Sequence, residues 1–279
     1  MTDRRSARAG AHRASSGRGR KLGLVLAAAL VAVACLVAGF ALWPDDPSAS
    51  TDEPANLPGA GAREDLVEWT GTELPADTPV AVPAALRTVL LEAGEDPARF
   101  VTSASGALQV VDGTPPAGAV VLASFEDPVG EVLLVVDPAP GVPTPEETDR
   151  RARLAAAVLA NPGTGAEGDA AEVLRTADLD ARLLSLLSVL VAQFDVRVAD
   201  FPAAPAEPAD GPPARRVLLD RSGPDRLTPG SPAADRLTTF LAAQLPPFAP
   251  DTVEVTADGL LIGFRYASAP DAMVTSRTP

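Results

Sequence analysis

A run of twenty-two uncharged residues, Leu22 to Trp43, constrains this chain more than any other feature of its 279 residues. At about 1.5 Å of rise per residue, a helix of that length is roughly 33 Å long, which matches a bilayer core of roughly 30 Å. The sequence therefore predicts one transmembrane helix at 22–43.

The charges on either side of this run predict its orientation. Residues 1–21 carry a net charge of +6 and the residues beyond 43 carry −20, which together give the −14 of the whole chain. Because basic segments stay on the cytoplasmic side, 1–21 is predicted to be a cytoplasmic tail and the acidic C-terminal part to be extracytoplasmic. We therefore expect a single-pass protein of the cell membrane.

Two other fates of the apolar run stay open. The triplet Gly39-Phe40-Ala41 could serve as a signal-peptidase site, although the run is longer than the usual apolar region of a signal peptide. The segment from Ala32 to Cys35 resembles the lipobox of bacterial lipoproteins, in which the cysteine is lipidated. However, the apolar residues LVAGFALW follow Cys35, where a mature lipoprotein is normally polar. Both observations favour an uncleaved and unmodified anchor.

The part of the chain beyond the apolar run contains no Cys, His or Lys. It therefore has no disulfides, and it lacks the usual bases that activate a Ser, Thr or Cys nucleophile as well as the usual zinc ligands. We expect neither an enzyme nor a protein with a cofactor or metal. One alternative remains, a carboxylate-only hydrolase of envelope polymers, because two carboxylates suffice for glycoside hydrolysis. Its candidate residues are Glu126, Asp127 and Glu131.

Nucleotide and nucleic-acid binding are not expected. Residues 163–168 read GTGAEG and match the dinucleotide pattern G-x-G-x-x-G, but a predicted helix and Asn161-Pro162 precede them where the pattern requires a strand. We interpret the motif as a loop between two helices. The charge of −20 beyond residue 43 repels nucleic acid over most of the surface.

Composition and turn signals predict a stalk followed by a first folded unit. Residues 44–65 are rich in Pro, small residues and acids, which predicts a disordered stalk. Residues 66–138 are predicted to be a small α+β domain with one helix, which starts after Pro83 and ends before Gly94. Two hairpins should follow, with turns at Ser105-Gly106 and at 127–130.

A proline-rich segment, 138–145, separates this unit from a second α+β domain at 144–267. Three helices are predicted there, at 144–160, 168–176 and 180–194, and the third is apolar on nearly every side and therefore buried. The later order strand, strand, helix, strand, strand predicts a mostly antiparallel four-stranded sheet plus a helix. Residues 268–279 are predicted to be a loose tail. The predicted fold class is thus α+β, preceded by one transmembrane helix and a stalk.

Layout and composition carry a resemblance. The use of Arg in place of Lys and the high content of Ala, Pro, Gly and Asp after a single span resemble uncharacterised single-pass extracytoplasmic proteins of actinobacterial type. The topology is also similar to that of cell-division proteins with a small extracytoplasmic α+β domain on one span. This resemblance implies a bitopic interaction protein that binds an envelope protein or a cell-wall component.

The C-terminal hairpin TVEVTADGLLIGFRY, 252–266, is the predicted interaction element. Because it ends the fold, we expect one of its strands at a sheet edge, where unpaired backbone groups accept a partner strand. In the strand LLIGFRY, Leu261, Gly263 and Arg265 share one face, and Gly263 would allow a partner backbone to approach closely.

The anchor interpretation makes a testable prediction. Protein extracted from membranes should have the intact mass of a chain that retains its N-terminal residues and an unmodified Cys35. A mature species that begins at Cys35 and carries acyl chains, or one that begins at Leu42, would contradict it.

Overall fold

A computed structural model describes residues 59–102, 106–127 and 130–277. These residues belong to one compact unit, so the sequence elements on both sides of 138–145 lie in a single body. The predicted cytoplasmic tail 1–21, the predicted transmembrane helix 22–43 and most of the predicted stalk lie outside the described residues. In the described part, the fold is α+β with seven α-helices and two sheets.

The helices are α1 Ala60–Glu73, α2 Ala84–Glu92, α3 Pro145–Ala160, α4 Gly168–Thr176, α5 Ala181–Phe194, α6 Pro232–Ala242 and α7 Pro270–Thr275. The strands are β1 Val80–Ala81, β2 Phe100–Val101, β3 Leu108–Asp112, β4 Val120–Glu126, β5 Val132–Asp137, β6 Gly165–Ala166, β7 Val196–Asp200, β8 Arg216–Ser222, β9 Asp225–Arg226, β10 Thr252–Val255 and β11 Leu260–Gly263.

The first sheet has the strand order β2-β1-β3-β5-β4. The predicted hairpin of β4 and β5 is confirmed, since the two strands pair antiparallel. The predicted hairpin of β2 and β3 is wrong, because β1 lies between them and pairs parallel with both. Sequence patterns could not reveal β1, since it has only two residues and lies directly before a proline-bounded helix.

The second sheet has the order β10-β11-β8-β7-β6, and β9 pairs with β8. The predicted hairpin of β10 and β11 is confirmed, and β7 and β8 also pair antiparallel, as a mostly antiparallel sheet predicts. The sheet has six strands, however, and not the predicted four. The two extra strands, β6 and β9, have two residues each, too few to show an alternating pattern in the sequence.

The predicted helices after Pro83 and at 144–160, 168–176 and 180–194 are confirmed, and their caps explain why. Thr144 and Glu147 form a complete capping box at the start of α3, with Pro145 at the first helical position. The Asp180 carboxylate accepts a hydrogen bond from the Arg182 N–H at the start of α5. The capping residues read from the sequence therefore form the caps of the helices in the folded protein.

The complete predicted fold class, α+β preceded by one transmembrane helix and a stalk, is nevertheless wrong, although the described part is α+β. Within 59–277, apart from the undescribed gaps, no helix has the length and apolarity that crossing a bilayer requires. The stalk predicted to reach residue 65 is helical from Ala60 onwards, because Ala62, Leu66 and Trp69 are buried along one side of α1. Residues 268–277, predicted as a loose tail, contain α7, which is anchored by the ion pair of Asp271 with Arg151.

Each sheet has its own hydrophobic core. The core of the first sheet contains Leu66 and Trp69 from α1 and extends to Tyr266 near the C-terminus. The core of the second sheet surrounds α5, where Leu187 and Leu190 are almost completely buried, as the helix pattern predicts. Tyr266 therefore connects the end of the chain to the first core.

Replacing Leu187 with Asp should unfold the protein, because it would place an unpaired charge in the second core. The cost should be several kcal/mol out of a typical stability of roughly 5–15 kcal/mol. Val189→Asp, on the same helix but with 37% of the residue exposed, is the matched control. Denaturation followed by circular dichroism checks this, and equal midpoints for the two variants would show that the α5 core is not where the structure has it.

Candidate functional site

A cleft of about 350 Å³ opens between α1, β4 and the loop that joins β7 to β8. We call it the acidic cleft. Its lining residues are Asp65, Glu68, Trp69, Thr72, Ser124, Phe125, Glu126, Pro205 and Ala206. The acidic cleft thus assembles three segments that are far apart in the sequence.

The helical repeat of α1 explains one wall. Asp65, Glu68 and Thr72 are three or four residues apart, so they lie on one exposed face, while Leu66 faces the core. Trp69 lies between this exposed face and the core, since it lines the acidic cleft and is only 3% exposed.

The N-terminal end of α1 is held by the turn after β4. The Asp127 carboxylate accepts hydrogen bonds from the Gly59 N–H (3.0 Å) and the Glu131 N–H (2.9 Å). A Cβ atom on residue 59 would lie 2.9 Å from Asp127 Oδ2, so only glycine permits this approach. Among the three predicted hydrolase carboxylates, Asp127 is therefore buried and occupied by the fold, and Glu126 and Glu131 are exposed.

The C-terminal end of α1 is held by a buried ion pair. The Glu73 carboxylate accepts hydrogen bonds from Arg215 (2.6 Å) and from Arg216. Arg215 also donates to the Phe264 carbonyl at 3.2 Å, and the backbone of Glu73 accepts from the Tyr266 N–H at 3.0 Å. These contacts connect the helix that forms one cleft wall to the strands of the second sheet.

The third wall is the loop before Arg215. Glu207 accepts a hydrogen bond from the Ala204 N–H (2.7 Å), and its other oxygen lies 3.6 Å from Arg215 Nε. Burial raises the pKa of Glu207 above its ordinary value, and the charge of Arg215 opposes this rise. Between these anchors, the Ala206 carbonyl accepts a hydrogen bond from the Ser124 N–H of β4 at 2.9 Å.

Trp69, which lines the acidic cleft, has a buried side-chain donor without a partner. No described residue accepts a hydrogen bond from Trp69 Nε1, although this atom is buried. The Trp69 ring packs edge-to-face against Phe125, with centroids 6.3 Å apart, which fixes its position. A buried N–H without an acceptor costs free energy, and Trp69 Nε1 has almost no exposed surface, so a ligand in the acidic cleft does not reach it in this conformation.

The charged side chains that line the acidic cleft are all negative. Asp65, Glu68 and Glu126 are exposed, and no Arg is among the lining residues. In the described ranges, no three Asp, Glu, His or Cys side chains are grouped so that they could hold a metal ion. The acidic cleft can therefore attract cationic groups over a broad surface.

Two of the three predicted interaction residues, Leu261 and Gly263, lie inside the second sheet and not at its edge, and Arg265 follows the end of β11. The strand that contains Leu261 and Gly263 pairs with β8 on one side and with β10 on the other, so β10 is the edge strand of the hairpin. A Cβ atom on Gly263 would contact Arg216 and Thr252, so neighbouring strands occupy the space predicted for a partner. The Arg265 guanidinium donates to the Leu74 carbonyl at 3.2 Å.

The glycine motif at 163–168 lies between α3 and α4, with β6 inside it. Strand β6 thus falls within the motif and does not lead into it from the preceding residues. A Cβ atom on Gly165 would lie 2.7 Å from Arg197 Cγ, so packing against β7 accounts for this glycine.

No protein-family model, curated protein or solved structure matches this chain. Function is therefore argued from the acidic cleft and the elements around it.

Replacing Glu73 with Gln should strongly destabilise the protein, because the buried guanidinium of Arg215 and the half-buried guanidinium of Arg216 would lose their carboxylate. We expect a loss of about 3–5 kcal/mol in the free energy of unfolding. The control is Glu172→Gln in the exposed pair with Arg175, which should change stability by less than about 1 kcal/mol. Urea denaturation of both variants checks this, and a Glu73→Gln variant as stable as its control would remove the ion pair from the explanation of the fold.

Proposed function

We propose that this protein is an extracytoplasmic interaction protein whose acidic cleft binds a cationic segment of an envelope protein or cell-wall component. One observation carries the proposal: three exposed carboxylates, Asp65, Glu68 and Glu126, line one cleft beside the edge strand β4, and no Arg is among its lining residues. The carboxylates suit cationic groups, and the backbone of an edge strand suits the backbone of a partner chain. A basic segment of a partner chain supplies both.

The arrangement favours binding over catalysis. Asp127, the buried member of the three hydrolase candidates, holds two backbone N–H groups in place. Glu126 and Glu131 are exposed, whereas a glycoside hydrolase uses a sheltered carboxylic acid paired with a second carboxylate. A carboxylate-only hydrolase therefore has less support than a binding protein.

For the location, we propose attachment to the cell membrane through Leu22 to Trp43, with the N-terminus in the cytoplasm. The support is the uncharged run and the charge difference across it. We also propose kinship with single-pass actinobacterial proteins of the same composition and layout.

The C-terminal hairpin is a second candidate surface. Its edge strand β10 pairs only with β11 among the described strands, and Glu254 on it is exposed. The predicted role of Leu261, Gly263 and Arg265 would then be to support this edge from the neighbouring strand. We rank it second because the acidic cleft combines an edge strand, β4, with exposed carboxylates on both β4 and α1.

Neutralising the acidic cleft should remove the native partner. The triple variant Asp65→Asn, Glu68→Gln, Glu126→Gln should lower partner labelling about tenfold, since each exposed carboxylate contributes about 0.5 kcal/mol. The measurement is proximity labelling by the full-length protein in its native cell. The control variant, Glu92→Gln, Asp112→Asn, Asp225→Asn, changes the net charge equally at exposed sites elsewhere.

Labelling that persists in the cleft variant but disappears in Glu254→Arg would move the binding site to the hairpin. Equal losses in the cleft variant and its control would show that only net charge matters.

A further inference from the structure

Resting on the proposed function, we propose a specific mode of binding: an extended peptide segment that contains Lys or Arg adds to the first sheet as a strand along β4. Edge strands can pair with an incoming chain through their free backbone groups. The acidic cleft lies along such an edge, because β4 is the last strand of its sheet.

The hydrogen bonds of β4 show which backbone groups face outwards. The Asp127 N–H donates to the Glu131 carbonyl, on the side of β5. Successive residues of a strand point in opposite directions, so the backbone groups of Glu126 and Ser124 point away from β5. The bond from the Ser124 N–H to the Ala206 carbonyl, at 2.9 Å, confirms this direction.

The loop between β7 and β8 bonds to one of these outward groups, the Ser124 N–H. Ala206 has a φ of +59°, a left-handed conformation that cannot continue as a strand. In the described part of the chain, nothing outside the sheet bonds to the Glu126 N–H or to the Ser124 carbonyl. A donor and an acceptor are therefore available beside the contact that the loop already makes.

The side chains select the chemistry of the incoming strand. Glu126 on the strand and Glu68 on α1 attract Lys or Arg side chains, and the outward N–H of Glu126 and carbonyl of Ser124 pair with the backbone of an extended chain. A polyamine offers the charges without the carbonyl groups, and an acidic or neutral strand offers the backbone without the charges. The combination favours a basic peptide in extended form.

Titration of the full-length protein in detergent micelles with defined peptides tests this mode. The probe is (Val-Lys)5, a sequence that favours an extended chain, and (Val-Glu)5 is its charge-reversed control. Two further probes are N-methylated on the backbone, one at the amide nitrogen of every lysine and the other at the amide nitrogen of every valine. The methyl groups leave the charge of the peptide unchanged. Because only alternate N–H groups can face β4, one isomer should bind about tenfold more weakly than the other.

A pair of protein variants tests the same edge from the other side. Glu126→Pro removes the outward N–H and the charge, whereas Glu126→Gln removes the charge alone. Proline is tolerated on an edge strand where the lost N–H faces outwards, and melting followed by circular dichroism verifies folding. If strand addition is right, Glu126→Pro binds (Val-Lys)5 about tenfold more weakly than Glu126→Gln does.

Equal affinity for both N-methyl isomers, together with equal affinity of the two Glu126 variants, would overturn strand addition while the cationic site stands. Tighter binding of spermidine or of the flexible (Gly-Lys)5 than of (Val-Lys)5 would also overturn it. If none of these cationic probes binds more tightly than (Val-Glu)5, the proposed function itself fails.

Discussion

The buried ion pair between Glu73 and Arg215 is the interaction on which the rest of the structure depends. It joins the end of α1, which packs on the first sheet, to the start of β8 in the second sheet. Both side chains are at most 5% exposed, so neither charge has water as an alternative partner. Such a pair contributes little net stability, but removing one member leaves the other unpaired in a poorly polarisable environment.

The three walls of the acidic cleft are all connected to this ion pair through further contacts. Glu73 fixes one end of α1, and Asp127 fixes the other through the Gly59 N–H. Arg215 lies close to Glu207, which shapes the loop that contacts β4 at Ser124. A charge network inside the protein thereby positions exposed carboxylates at its surface.

Sequence patterns were sufficient where structure is determined locally. The capping box at Thr144 and the apolar faces of α5 predict their helices because all the relevant contacts lie within one or two turns. Helix α1 was not predicted at all, because Gly59 provides no side-chain cap and the helix is fixed instead by Asp127, 68 residues away. The hidden signal was the spacing of Ala62, Leu66 and Trp69, which places them on one side of a helix.

Long-range arrangement was the part that the sequence could not predict. The hairpin of β10 and β11 is visible in its turn residues, but which of its strands is the edge depends on the pairing of β11 with β8. The acidic cleft combines α1, β4 and Ala206, and the ion pair that supports it spans 142 residues. No local pattern of charges distinguishes Asp65, Glu68 and Glu126 from the many other exposed acids of this chain.

Amide-resolved hydrogen exchange of the full-length protein, with and without (Val-Lys)5, tests the central claim most directly, because it locates the bound segment on the backbone. If the acidic cleft binds a strand along β4, the peptide slows exchange of the Glu126 amide and leaves the β10 amides unchanged. Slowed exchange in β10 with no change at Glu126, or no slowing anywhere, would contradict the claim.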